Sequence, residues 1–132
     1  HYTFFDIHSK KAKQFGFRLE TKEHNSIVFL GDEPFNEQCS KYMTPCDWLL
    51  SEAYCLYSER ERYNPYELFH STVKEACECA ERFHAKNLIL WHTEDESTYG
   101  DRKVRYTNEA REFFSGNVLV PDDFERIQLR LP

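Results

Sequence analysis

Three residues that could bind a metal ion each follow a short apolar run. His8 ends the segment that begins at Tyr2, Asp32 comes directly after Ile27–Gly31, and His92 follows Leu88–Trp91. Histidine nitrogen and carboxylate oxygen suit zinc, iron or manganese. A carboxylate between two histidine-bearing segments can also bridge two metal ions. This spacing predicts metal-dependent chemistry.

Each of these residues has a simpler interpretation when taken alone. A single histidine or aspartate at the end of an apolar run usually caps a turn or satisfies a backbone group. The same type of residue at the end of three such runs favours a common site, because sites in sheet proteins are built at strand ends.

The elements that must position these residues are short strands and two helices. The apolar runs predict strands at Tyr2–His8, Phe15–Thr21, Ser26–Leu30, Asp47–Ala53, Leu88–Trp91, Val118–Val120 and Ile127–Leu131. Apolar residues at steps of three and four predict a helix over Thr72–His84, and Thr72 with Glu75 fits a capping box. A second helix is predicted near Thr107–Phe114, ending at Ser115-Gly116. Alternation of strands and helices predicts the α/β class with a mixed sheet and flanking helices.

The order of these motifs resembles that of metallo-β-lactamase-fold hydrolases. The matching segments are Phe5–Ser9, Gly16–Phe17, Phe29–Asp32, Asp47–Ala53 and Leu88–His92. The segment Phe69–Ala76 resembles the "His-Ser-Thr" helix start of the tRNA 3′-processing branch, RNase Z, and its phosphodiesterase relatives. The resemblance covers nearly the whole chain and implies half of an αββα sandwich.

The resemblance also implies a role for five residues. His8 and His92 would be ligands of two divalent metal ions, and Asp32 would bridge them. Zinc is the expected metal, with manganese or iron as alternatives. A metal-bound hydroxide would attack a phosphate ester. His70 would act near the leaving group, and Glu52 would hold or polarise His70.

The family's signature cluster, His-x-His-x-Asp-His, does not occur in this sequence. We therefore expect residues 1–132 to be the C-terminal half of the hydrolase domain, completed by an N-terminal half or a partner chain. The segment after His92 lacks the Arg-Tyr that the tRNA-processing branch places there. A small phosphorylated or phosphodiester substrate is therefore expected rather than tRNA.

Composition limits the remaining classes of function. The net charge of −6 argues against a protein whose main partner is the nucleic-acid backbone, although Lys10, Lys11 and Lys13 form a local basic turn, read here as a solvated loop. The five cysteines, without a recognisable secretion signal, predict reduced thiols and a cytoplasmic location, with no membrane association. Their spacing does not favour a structural metal site.

Two other functions are consistent with the same sequence. In the first, the chain is a non-catalytic binding module, and its histidines and aspartate are structural. In the second, it is one subunit of a two-chain or homo-oligomeric metallohydrolase.

Overall fold

The chain folds as one mixed sheet of six strands with helices packed against one face. The computed structural model describes residues 1–23, 25–98 and 100–129. The strands lie side by side in sequence order: β1 (Tyr2–Asp6), β2 (Phe15–Glu20), β3 (Ser26–Phe29), β4 (Trp48–Glu52), β5 (Asn87–Trp91) and β6 (Asn117–Leu119). The α-helices are α1 (Arg60–Tyr63), α2 (Val73–Arg82) and α3 (Arg102–Ala110), and short 3-10 helices lie at Glu37–Tyr42, Tyr57–Glu59 and Glu96–Thr98.

The directions of the strands decide where their ends meet. β1, β2 and β3 form an antiparallel meander, whereas β3, β4, β5 and β6 pair in parallel. β1 therefore runs in the same direction as β3. The carboxyl ends of every strand except β2 consequently lie along one edge of the sheet, which we call the ligand edge.

The two faces of the sheet differ in what covers them. On the inner face, Val28, Leu49, Leu88 and Leu90 are buried and form the core with the apolar stripe of α2, a residue set that includes Val73, Ala76, Cys77 and Ala80. This burial of apolar surface is the main source of stability. The outer face is rich in aromatic side chains, and Tyr2, Phe4 and Phe15 on it are exposed.

The α/β class and the mixed sheet with flanking helices are confirmed, and the strands from β1 to β6 lie within two residues of their predicted limits. The predicted helix Thr107–Phe114 is misplaced, because α3 spans Arg102–Ala110. The start of α3 shows no apolar periodicity, because the helix begins with polar residues. Its buried residues are Tyr106 and Ala110, neither of which lies in its first turn. The predicted strand Ile127–Leu131 is absent over residues 127–129, while residues 130 and 131 lie outside the described residues.

The predicted capping box at the start of α2 is present. The Thr72 hydroxyl accepts a hydrogen bond from the Lys74 N–H at 3.2 Å, and the Glu75 carboxylate accepts from the Thr72 N–H at 3.4 Å. Because these bonds satisfy N–H groups that have no partner within the helix, they fix the point where α2 begins.

We expect Thr72→Ala to lower the free energy of unfolding of the chain by about 1 kcal/mol more than Thr72→Ser does. Both variants remove the buried methyl group, but serine keeps the capping hydroxyl. Urea unfolding followed by circular dichroism measures the difference. Equal destabilisation by the two variants would show that the cap does not contribute.

Candidate metal and catalytic site

The sequence-predicted site residues lie along the ligand edge. His8, Asp32 and His92 follow β1, β3 and β5, and Glu52 is the last residue of β4. His70 comes from the segment before α2, which reaches the same edge. Parallel pairing of the strands thus brings together residues that are far apart in sequence.

Hydrogen bonds beyond the end of β4 draw two of the histidine segments together. The Tyr54 N–H donates to the Ser71 carbonyl at 2.9 Å, and the Tyr54 carbonyl accepts from the Glu94 N–H at 2.8 Å. Residues 53–55 therefore lie between the segment that carries His70 and the segment that carries His92.

Glu52 is the centre of this arrangement and is fully buried. Its Oε1 accepts a hydrogen bond from the Ser71 N–H at 2.8 Å, and its Oε2 lies 2.5 Å from Nδ1 of His70. The Ser71 hydroxyl donates to the Glu52 carbonyl at 3.1 Å. Both carboxylate oxygens are thus engaged, and the position of His70 depends on them.

The two imidazole rings turn the same nitrogen toward this carboxylate. Nδ1 of His92 lies 3.6 Å from Oε2 of Glu52, and the ring centroids of His70 and His92 are 5.2 Å apart. Tyr54 stacks on His70 with its ring centroid at 4.7 Å. Nε2 of each histidine is therefore the nitrogen directed away from Glu52. Metal-binding histidines are commonly oriented by a carboxylate in this way.

Glu52, His70 and His92 also form a set of potential ligands. Each offers one ligand atom, and these atoms lie within 4.8 Å of one another. Among the described residues, no other group of at least three histidine, cysteine or acidic residues has this geometry. Nitrogen and carboxylate donors fit zinc. Of the three residues, only His92 is among the predicted metal ligands, whereas Glu52 and His70 were predicted as catalytic residues.

Burial shifts the pKa values of the Glu52–His70 pair in opposite directions. It raises the pKa of Glu52 to about 8, against the lowering effects of the Ser71 N–H and the Lys11 ammonium. It lowers the pKa of His70, and the Lys11 and His92 charges add to that effect. The opposite shifts favour neutral groups that share a proton between Oε2 and Nδ1.

His8 and Asp32 occupy sharp turns at the ligand edge. His8 is exposed with φ at 56°, and its N–H donates to the Asp6 carboxylate at 2.8 Å. Asp32 follows Gly31, whose carbonyl accepts a hydrogen bond from the Trp91 indole at 3.1 Å. The negative charge of Asp32 raises the pKa of Glu52 and of His70. Neither His8 nor Asp32 belongs to the 4.8 Å set described above.

Sequence reasoning missed two residues that support the site. Lys11 lies in a turn expected to be solvated, but its Nζ is 3.0 Å from the Glu33 carboxylate and 3.5 Å from Nε2 of His70. Glu33 is only 3% exposed and also accepts hydrogen bonds from Ser9 and Gln14. A buried carboxylate directly after Asp32 gave no distinct signal in the sequence.

The family model described as "Beta-lactamase superfamily domain" matches residues 1–93 of this chain, which include all five predicted site residues. The chain belongs to the β-lactamase superfamily. The resemblance inferred from the motifs is therefore confirmed at the level of the family.

Curated relatives of this β-lactamase superfamily chain carry the name ribonuclease Z. That of Bacillus subtilis (strain 168) is 31% identical over 104 residues, covering 79% of this chain and 33% of the relative. That of Thermococcus sibiricus is 32% identical over 110 residues, covering 83% of this chain and 33% of the relative. This chain thus spans about a third of the length of the curated relatives it matches.

Solved structures show the same fold at lower sequence identity. The metallo-β-lactamase fold protein YhfI from Bacillus subtilis superposes with a TM-score of 0.73 at 20% identity, covering 91% of this chain and 45% of that one. The short form of human tRNase Z superposes with a TM-score of 0.69 at 24% identity. This match covers 98% of the present chain and 43% of the human one. The superfamily fold of this chain is therefore supported independently of its motifs.

The state of the cysteines and the length of the helices bear on the predictions of reduced thiols and of no membrane association. The five cysteines are free and buried, and burial raises the pKa of Cys46, Cys55, Cys77 and Cys79 to about 12. Such thiols are poor metal ligands, since the thiolate is the form that binds. Among the described residues, no helix has the length and apolar character needed to cross a membrane.

We expect Glu52→Gln to remove a pH dependence of stability in the metal-free chain. The raised pKa of Glu52 means that the folded state holds this proton more tightly than the unfolded state does. Its contribution to stability is therefore present below pH 4.5 and is lost as the pH rises toward 8. Glutamine keeps the shape of the side chain and has no proton to lose.

The variant should be more stable than the wild type by at least about 1 kcal/mol at pH 8, with a smaller difference at pH 5. Thermal and urea unfolding with EDTA measure this difference. Glu61→Gln, which changes an exposed carboxylate in α1, serves as the control and should leave the pH dependence unchanged. If the stability of wild type and of Glu52→Gln changed in parallel with pH, the raised pKa of Glu52 would be contradicted.

Proposed function

We propose that this chain is the C-terminal half of a metal-dependent hydrolase domain that cleaves a small phosphodiester. The observation that carries the proposal is the convergence of Glu52, His70 and His92 within 4.8 Å at the ligand edge. Membership of the β-lactamase superfamily and the name ribonuclease Z on its relatives support hydrolysis of a phosphate ester.

His8, Asp32 and His92 are the proposed metal ligands, with zinc as the expected metal and manganese or iron as alternatives. When bound, two such ions would supply a hydroxide nucleophile and positive charge that offsets the charge on the phosphoryl oxygens. Three ligands do not fill two metal shells. The remaining ligands would come from the His-x-His-x-Asp-His cluster of the other half, supplied by the same polypeptide or by a partner chain.

His70 is the proposed general acid. Its Nδ1 is held by Glu52, so Nε2 can carry a proton toward the leaving oxygen. As the bond from phosphorus to that oxygen breaks, the Nε2 proton moves to the oxygen and the shared proton moves toward Nδ1. The Lys11 ammonium, 3.5 Å from Nε2, would attract the phosphoryl oxygens. Glu52 acts through His70 and is therefore a positioning residue.

The outer face of the sheet supports the proposal of a missing half. Its aromatic side chains form a row of ring contacts across four strands, and Phe4 is 69% exposed. Exposed apolar patches of this kind usually mark an interface. A second sheet packed on this face would give the αββα sandwich and would deliver the absent histidines to the ligand edge. The row consists of Tyr2, Phe4, Phe17, Phe29 and Trp91.

The proposed location is the cytoplasm. The cysteines of the described chain are free and buried, as expected for a reducing compartment, where thiols are kept reduced.

We expect the complete protein to bind two metal ions per chain and residues 1–132 alone to retain well under one. Plasma mass spectrometry after purification without chelators or a histidine tag measures both. Asp32→Ala should lower the metal content of the complete protein, and His84→Ala, which changes an exposed histidine after α2, should leave it unchanged. Two ions per chain bound by residues 1–132 alone would show that other ligands complete the site.

We expect His70→Ala in the complete, metal-loaded protein to lower kcat for a small phosphodiester by about 100- to 10,000-fold, because the general acid is lost. Metal content should remain at the wild-type level, and His84→Ala should keep full activity. Glu52→Gln should lower kcat less than His70→Ala does and should shift the pH profile. Loss of metal in His70→Ala would instead make His70 a ligand, which the 4.8 Å set also permits.

A further inference from the structure

A buried carboxylate organises the turn between β1 and β2. Glu33 lies in the loop after β3 and is only 3% exposed. Its Oε1 accepts hydrogen bonds from the Ser9 hydroxyl at 2.8 Å and from the Gln14 side-chain amide at 3.2 Å. The Lys11 ammonium lies 3.0 Å from the same oxygen. Donors from three residues of one turn therefore meet a single atom of Glu33.

The backbone of Lys11 is held by the same turn. The Ser9 hydroxyl oxygen accepts a hydrogen bond from the Lys11 N–H at 3.0 Å, while the hydroxyl donates its own proton to Glu33. A lysine side chain is long and flexible, and ordering it costs conformational entropy. Here that cost is met within the folded chain, because both ends of Lys11 are fixed before any substrate binds.

The held ammonium lies beside the nitrogen of His70 that is directed away from Glu52. Nζ of Lys11 is 3.5 Å from Nε2 of His70. The Lys11 side chain is 29% exposed, against 4% for the side chain of Glu33. An ammonium has three N–H donors, so it can hold Glu33 and still donate to another oxygen. A leaving oxygen that reached Nε2 would meet this cation without drawing Lys11 away from Glu33.

The charge of Glu33 also bears on His70. Beyond the effect of burial, the Lys11 charge lowers the pKa of His70 and the Glu33 charge raises it. An unpaired ammonium at this distance would oppose a second proton on the imidazole ring. The carboxylate offsets this effect, so a lysine can lie beside the proposed general acid.

We propose that Glu33 is a positioning residue that holds the Lys11 ammonium where the leaving oxygen of the phosphodiester departs. The inference rests on the proposed function and adds to it a preorganised cation on the leaving-group side of the site. A fixed cation stabilises charge that develops in the transition state, because it does not have to reorient during the reaction. Glu33 itself contacts no reacting atom and acts through Lys11.

The anchoring of Lys11 is measured in residues 1–132, without metal and without catalysis. NMR relaxation of the ε-methylene groups reports how freely each lysine side chain moves, and Lys11→Met identifies the Lys11 signal. This group should be more rigid than that of the exposed Lys22, and Glu33→Gln should make the two equally mobile. Glutamine keeps the shape of the side chain and an oxygen that accepts from Ser9, but it lacks the charge that attracts the ammonium.

Glu78→Gln is the matched control. Glu78 lies on α2 and pairs with Lys74 at 3.6 Å. Its loss should leave the mobility of Lys11 unchanged. A wild-type Lys11 as mobile as Lys22 would overturn the proposal, and so would a Lys11 that stays rigid in Glu33→Gln.

Turnover of a small phosphodiester by the complete metal-loaded protein tests the consequence for the reaction. Glu33→Gln should lower kcat about tenfold and leave KM unchanged, because the fixed cation acts on the transition state. Lys11→Met should lower kcat/KM at least as much. Adding Glu33→Gln to Lys11→Met should cause no further loss, since Glu33 acts through Lys11. Glu78→Gln should keep full activity.

Two outcomes of this experiment would overturn the positioning role. Losses that multiply in the double variant would show that Glu33 does not act through Lys11. Loss of bound metal in Glu33→Gln would show that it supports the ligands on either side of it instead. Failure of the wild type to cleave the substrate, with Lys11 held by Glu33, would contradict the proposed function alone.

Discussion

The buried carboxylate of Glu52 is the constraint on which the rest of the site depends. A carboxyl group without solvent contact must be hydrogen-bonded or neutral, because its charged form is costly to bury. Here it meets that requirement with the Ser71 N–H and the His70 ring, both from the segment that leads into α2. The end of β4, the start of α2 and the proposed general acid His70 are therefore fixed by one group.

Around this group, the backbone turns sharply at two of the predicted metal ligands and immediately before His70. His8 and His92 have positive φ, as does Phe69 immediately before His70. Left-handed conformations of residues other than glycine cost energy and concentrate at functional sites.

Much of the fold could be predicted from the sequence, because the pattern of apolar residues within single strands and helices was clear. The apolar runs from β1 to β5 and the stripe of α2 carried clear periodicity, so the strands and that helix were found close to their true limits. α3 was displaced because its first turns are polar, and its buried side rests on Tyr106 and Ala110 alone. The strand expected at the end of the chain had an apolar pattern over 127–131 but no pairing over residues 127–129.

The site could be predicted from the sequence only in part. His8, Asp32 and His92 could be proposed because they end strands, and their roles as ligands remain predictions. His70 and Glu52 came from the family resemblance, and the contact between them depends on how residues 53–55 pair with the segment before α2. Lys11 could not have been found, because nothing in a run of lysines shows that one of them meets a buried glutamate.

The parallel crossovers between β3, β4 and β5 also bear on the order in which such a site is assembled. In a zinc finger the ligands are close in sequence, so the metal can gather an unfolded chain. Here the ligand positions are joined only through the sheet, and non-local pairings of this kind form late because long loops must close first. The metal would therefore meet an edge that is already built, and its loss would empty the site without unfolding the sheet.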